Sequence, residues 1–256
     1  AEPYYNENIG QEGVPVDPGA MSGTFALKLQ STTQTELPLL GKVTGGGDSY
    51  ALVFRDYDMS DQTYTQETKL CGGLIRSENT DSTLPDESWQ KVPQMESKQT
   101  DLRDGEGYLA VAGYIELWGL TNMDDPWNDP MPKDEFEAEE EPFAEQIVDM
   151  DEDGYPGMTI QVEGIVSGDF YFIQRKKANL EGIIVDEDRT FGLQVTHFEQ
   201  TILGTTSGPT QQGYPQEPHP DPRQSWFEEI RLPSGSSCDD VMQAVEDGTM
   251  SRLRPF

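Results

Sequence analysis

From Gly23 onward the chain keeps returning to one device, a short run of alternating apolar and polar side chains closed by Gly, Asp, Asn or Pro. A period of two puts successive side chains on opposite faces of a β-strand, whereas a helix needs a period near 3.6. Residues 23–29, 49–54, 63–70, 108–118, 158–163, 169–175, 180–185, 191–198 and 226–232 carry strand character. No long segment holds helical periodicity, and the short candidates are 136–148 and 239–246. The spacing predicts an all-β fold, mostly an antiparallel meander, closed as a barrel or folded as a sandwich, with one or two short helices. Gly45-Gly46-Gly47 reads as a hairpin turn, and Arg175-Lys176-Lys177 as the close of another hairpin.

Residues 1–22, with Pro3, Pro15 and Pro18 and little periodicity, read as an extended N-terminal arm. Residues 23–256 read as a single β domain with long loops at 76–106, 119–148 and 203–225. Loops of that length are usually functional or disordered. These are too polar for a second core, while ten Phe, ten Tyr and four Trp suffice for one. An unstructured arm can add to a neighbour's sheet edge, so a protein partner or self-assembly is expected through it.

The chain sets 48 Asp+Glu against 17 Lys+Arg, a formal charge of −31. That balance excludes a general nucleic-acid binder, which needs clustered cations for phosphate, and disfavours docking on anionic lipid. No apolar stretch reaches the roughly 18 residues of a membrane span. Acidic self-repulsion is tolerated where salt screens it, so a halophilic or marine, salty or calcium-rich medium is expected. The two cysteines, Cys71 and Cys238, lie in no CxxC and suit a disulfide in an oxidising compartment. A chain opening at Ala1 without a charged-then-apolar leader is what a mature exported protein would show. The expected location is secreted, cell-surface or periplasmic.

Asp149-Met150-Asp151-Glu152-Asp153-Gly154-Tyr155 is a DxDxDG loop. Alternate carboxylates in a tight loop converge on one cation, calcium takes hard oxygens, and the glycine permits the sharp turn. The loop resembles the calcium loops of EF-hands, dockerins and thrombospondin type 3 repeats. The resemblance implies Ca2+ held by Asp149, Asp151, Asp153 and the Tyr155 carbonyl. It departs from the EF-hand where Ile160 replaces the bidentate Glu, so further oxygens would come from Asp124, Asp125, Glu163 or water. That departure favours a structural loop over a sensor.

The order of features along the chain also looks like uncharacterised exported proteins of myxobacteria and related predatory bacteria. It runs from a Gly-Thr-aromatic strand through a Cys-Gly and DxDxDGxPGxT to an aromatic strand ending Gln174-Arg175 and a late Asp-Pro before the final strand and Cys238. That resemblance implies export and brings no activity. Gly23-Thr24-Phe25 is similar to the GxW start of lipocalins, with Phe in place of Trp, which implies a barrel.

Little else carries chemistry. His197 lies in a strand and His219 in a stiff Pro-rich loop, and there is no GxSxG, HExxH, P-loop or GxGxxG. Arg175 and Lys176, in the chain's only run of three basic residues, and Trp127, in a loop with no strand pattern, are the candidate partner contacts. The leading expectation is therefore a non-enzymatic, calcium-binding binding or assembly module. A lipocalin-like carrier of a small apolar ligand comes second and a carboxylate-based glycoside hydrolase third.

Overall fold

The structure, a computed structural model, describes residues 5–6, 10–37, 41–60, 62–77, 80–99, 107–164, 167–208 and 216–250. Two short strands, β1 (Tyr5–Asn6) and β2 (Gln11–Glu12), pair only with each other. The alternation beginning at Gly23 runs well past its predicted end. β3 (Gly23–Leu37) pairs antiparallel with β4 (Gly41–Asp58) residue for residue, from Gly23 opposite Arg55 to Leu37 opposite Gly41. β5 (Thr63–Ser77) follows on β4. Then come β6 (Thr80–Thr83), the helix α1 (Asp86–Lys91), β7 (Met95–Gln99), β8 (Tyr108–Trp118) and β9 (Met158–Gly164). β10 (Gly168–Asp186), β11 (Arg189–Thr205), β12 (Glu217–Pro218), β13 (Trp226–Leu232) and the helix α2 (Cys238–Glu246) complete the order.

The fold is all-β and antiparallel, as the alternation predicts. Hydrogen-bonded neighbours run β3–β4–β5–β6–β9–β10–β11–β13 and return to β3, so these strands form a closed ring. β7 pairs with β5, β8 with β10, and β12 with β3. Side chains facing into the ring pack as one core: Phe25, Leu27 and Leu29 of β3 meet Val53, Tyr64, Phe172 and Phe227. The outer face of β3 and β4 is covered too. There Ala26, Tyr50, Leu52 and Ile230 pack under Val241 and Ala244 of α2. The Cys71–Cys238 disulfide ties that helix to β5, and Ser237 and Asp240 cap its start reciprocally. Closing a loop of 167 residues, the bridge contributes about 5 kcal/mol in the chain-entropy view.

Several local expectations are corrected. Gly45-Gly46-Gly47 lies inside β4 rather than at a turn. A Cβ on Gly46 would come 2.0 Å from the Ser31 carbonyl oxygen, and one on Gly47 2.6 Å from that of Leu74. The triplet permits close backbone approach instead of reversal. Arg175-Lys176-Lys177 closes no hairpin, because β10 continues straight through it. The 76–106 segment supplies β6, α1 and β7, and Trp89 from α1 packs edge-on against Trp118 at 4.9 Å. Residues 136–148 form two 3-10 turns, Glu137–Glu139 and Phe143–Glu145, on either side of Pro142, which has no N–H to continue a helix. Within the arm, part of residues 13–22 is fastened to the domain, while Val14, Pro15 and Asp17 are exposed. Val14 N–H donates to Ile184 O at 2.8 Å, Met21 is buried in the core, and Arg231 donates to Ala20 O.

Buried ion pairs complete the interior. Lys176 points into the ring and meets Glu116 at 2.7 Å, whose second oxygen accepts from Trp118 Nε1 at 3.2 Å. Removing one partner of such a pair strands a buried charge. Lys176→Met should therefore lower unfolding free energy by about 3–5 kcal/mol. Lys176→Met combined with Glu116→Leu should recover most of that loss, and urea unfolding of the three proteins checks both.

Candidate metal centre

The 149–157 loop begins where Val148 leaves the acidic insertion and ends where β9 starts. Its neck is closed by a parallel bridge between Asp149 and Gly157. Gly157 N–H donates to Val148 O at 2.9 Å and Met150 N–H to Gly157 O at 3.0 Å. Within the loop, Asp149 accepts from the N–H groups of Asp153 (3.1 Å) and Gly154 (2.9 Å), and Asp153 accepts from Tyr155 N–H at 2.9 Å. These bonds curl the backbone inward, with Gly154 at φ +94°, a conformation that favours glycine. Asp151 Oδ2 reaches out of the loop to accept from Thr159 N–H at 2.8 Å on β9.

The result brings Asp149, Asp151 and Asp153 together, with one oxygen of each within 4.8 Å of the others. Two oxygens on one calcium, each at 2.3–2.6 Å, stand at most about 4.6–5.2 Å apart, so the group has the right span. Asp151 Oδ1 is buried and has no hydrogen-bond partner, and the same is true of Thr159 Oγ1. Burial pushes the Asp151 carboxyl above its usual range, and the charges of Asp153 and Asp149 add to this against the bond from Thr159. Among the described residues no salt bridge reaches any of the three. Lys91 of α1 pairs instead with exposed Glu152 at 2.5 Å. An unpaired, partly buried carboxylate beside two others is a site that a cation would stabilise.

Other expected residues fall elsewhere. Asp124, Asp125 and Glu163 do not belong to the converging group. Asp125 is occupied in its own turn, where the side chain and N–H of Asn128 and the N–H of Trp127 hold its carboxyl below the usual range. The Tyr155 ring stacks on Tyr171 of β10, centroids 4.1 Å apart and planes within 7°. Cys71 and Cys238 are joined, as expected. His197 is exposed on β11, and His219 accepts from Asp221 N–H at 3.1 Å.

Arg175 and Lys176, expected as partner contacts, are both buried. Lys176 is held by Glu116. Arg175 pairs with Glu199 at 2.5 Å and donates to the carbonyls of Pro126 (3.2 Å) and Asp129 (2.6 Å). Trp127, half-buried, lies under Arg175 and Lys177, whose charges sit 5.4 and 5.5 Å from its ring centre. Sequence reading missed Thr159, Gly119 and Met150. Gly119 N–H donates to Met150 Sδ at 3.4 Å, and a Cβ on Gly119 would lie 2.5 Å from Gly157 Cα. In the sequence, Pro156-Gly157 is the local sign of a turn at the neck.

Comparisons of this chain with protein-family models, curated proteins and solved structures find no match.

The contact between Gly119 and Gly157, with Gly119 at φ +66°, makes Gly119→Ala a test of the neck. The substitution should cost about 1–3 kcal/mol from strain and overpacking together, read from the denaturation midpoint.

Proposed function

We propose that this chain is an extracytoplasmic β protein in which the 149–157 loop is a structural calcium site. Its role is non-enzymatic, as a binding or assembly module of a cell surface or extracellular structure. The observation that carries the reading is the convergence of three carboxylates within 4.8 Å around a buried, unpartnered Asp151 oxygen. Hard oxygens without nitrogen or sulfur suit calcium. The Tyr155 carbonyl and water complete the sphere in this reading, since Ile160 offers no side-chain oxygen. The disulfide is compatible with an oxidising compartment, and the charge of −31 with a medium rich in salt. Among the described residues no helix is long and apolar enough to cross a membrane.

The other two readings find less support. Side chains such as Phe25, Tyr64, Trp118, Phe172 and Phe227 occupy the ring interior, where a carrier would keep space. A cavity of about 310 Å³ lies instead between β7 and β8, beside Met95, Tyr114 and Leu117. Glu116, the acid beside Trp118, is bound to Lys176 rather than facing a cleft.

Thermal melts in millimolar calcium and in excess EDTA, each at high and low salt, test the metal claim. Calcium at about 100 times Kd should raise Tm by about 5–10 °C at either salt concentration, and Asp151→Asn should remove the rise. A midpoint that follows salt and ignores calcium reduces the loop to an acidic turn. The assembly claim predicts that deleting residues 1–12, which stops short of packed Gly13, abolishes self-association in sedimentation velocity. Unchanged association would sink it.

A further inference from the structure

The acidic insertion 119–148 crosses the outside of the ring, and one of its fastenings is the neck of the 149–157 loop. At its base Leu120 bridges Ile147, Thr121 N–H donates to Gln146 O at 2.8 Å, and Val148 N–H donates to Gly119 O at 3.1 Å. The next bond along the same backbone is Gly157 N–H to Val148 O, which closes the metal loop. Gly119 touches both structures, through Val148 and Met150 on one side and Gly157 on the other. The two necks are one structure, and Asp149, a candidate ligand, is the residue that follows Val148.

At its far side the insertion is held by few contacts. Trp127 lies under the outward cations of β10, Arg175 and Lys177. Arg175 draws on the Pro126 and Asp129 carbonyls, and Thr201 Oγ1 donates to Pro132 O at 2.6 Å. Between these points the segment has only short 3-10 turns and no strand. Its closed position draws on the neck, on this patch and on the burial of Leu120, Ala138 and Phe143.

We propose that residues 119–148 form a strap that calcium latches over the Arg175–Lys177 face of β10. The proposal rests on the calcium reading of the 149–157 loop. A cation that fixes Asp149 fixes the residue at the foot of the strap, so an ion that binds only the closed neck favours the closed strap. Lifting the strap uncovers Trp127, Arg175 and Lys177 together. In the closed state Trp127 of the strap and Arg175 of β10 are each other's partners.

Lys133 is the only Lys or Arg between residues 119 and 148, so it reports on the strap alone. The disulfide-intact full chain is exposed to a lysine-specific protease that needs no calcium, in millimolar calcium and in EDTA. Cleavage after Lys133 is followed by mass spectrometry after reduction, because Cys71–Cys238 keeps the two fragments joined. At free calcium about 100 times Kd, cleavage should slow by up to about a hundredfold. Asp151→Asn should be cut at one rate in both buffers. Trp127→Ala serves beside it against the case that Asp151→Asn does not fold, and it should be cut faster than the parent in calcium with its calcium-dependent Tm rise intact. If calcium raises Tm but leaves the Lys133 rate unchanged, the strap is not latched by the metal and this proposal is overturned while the calcium site stands. If neither Tm nor cleavage responds, the calcium reading falls and the latch falls with it.

Discussion

β10 is hydrogen-bonded to β11 along one edge from Phe170 to Asp186, and on its other edge first to β9 and then to β8. That double pairing lets one strand close the ring and also seat everything attached to it. Its alternation sends Lys176 inward to Glu116 while Arg175 and Lys177 face outward to Trp127. Tyr171, near its start, receives the Tyr155 ring from the 149–157 loop. A break at Arg175-Lys176-Lys177 would separate the core, the 119–148 insertion and that loop from a common frame. The strand survives three consecutive cations because each is matched by a carboxylate or an aromatic face in a fixed direction.

The interior is more polar than a ring of this kind needs for stability. Arg55 forms two bonds with Glu229, at 2.8 and 2.7 Å, and two with Gln66, whose amide donates on to Thr68. Its guanidinium also lies over the rings of Phe25 and Tyr64. Burial alone would weaken the hold of Arg55 on its proton, yet the charge and hydrogen bonds of Glu229 keep its pKa above the usual value. Such a network often gives no more stability than an apolar core of equal volume, and it penalises a shifted register. A one-residue slip of β4 against β3 would turn Arg55 outward and leave Glu229 buried alone. In long strands such as β3 and β4, where local pattern defines register weakly, the buried pairs add the missing discrimination.

That division also explains what could be read from the sequence. β8 and β13 match their expected bounds because apolar alternation and flanking turn residues agree there. Gly45-Gly46-Gly47 misled because glycine serves both reversal and close approach, and only the position of Ser31 and Leu74 decides which. The burial of Lys176 was not legible, because a lysine within a run of three basic residues gives no sign of a carboxylate sixty residues away. In the candidate site the three aspartates were legible, since the spacing of ligands in one short loop is a local property. The neck was not. Gly119 and Gly157 meet through the fold, and neither carries a side chain that would announce the contact.

Two different remedies for acidity are built into the molecule, and they act at different ranges. Most of the 48 carboxylates contribute to a diffuse field at the surface. Mobile salt weakens that field, because the Debye length falls from about 10 Å at 0.1 M to about 3 Å at 1 M. Asp149, Asp151 and Asp153 lie within 4.8 Å of one another, with one Asp151 oxygen shielded from water. Asp149 and Asp153 are exposed and one Asp151 oxygen is shielded, and the three lie closer together than a Debye length in moderate salt, so bulk salt removes only part of that repulsion. Protonation or an ion seated among the three relieves the rest, and burial has already moved Asp151 toward the first. The loop and the surface respond to different ions because one is governed by coordination distance and the other by screening length.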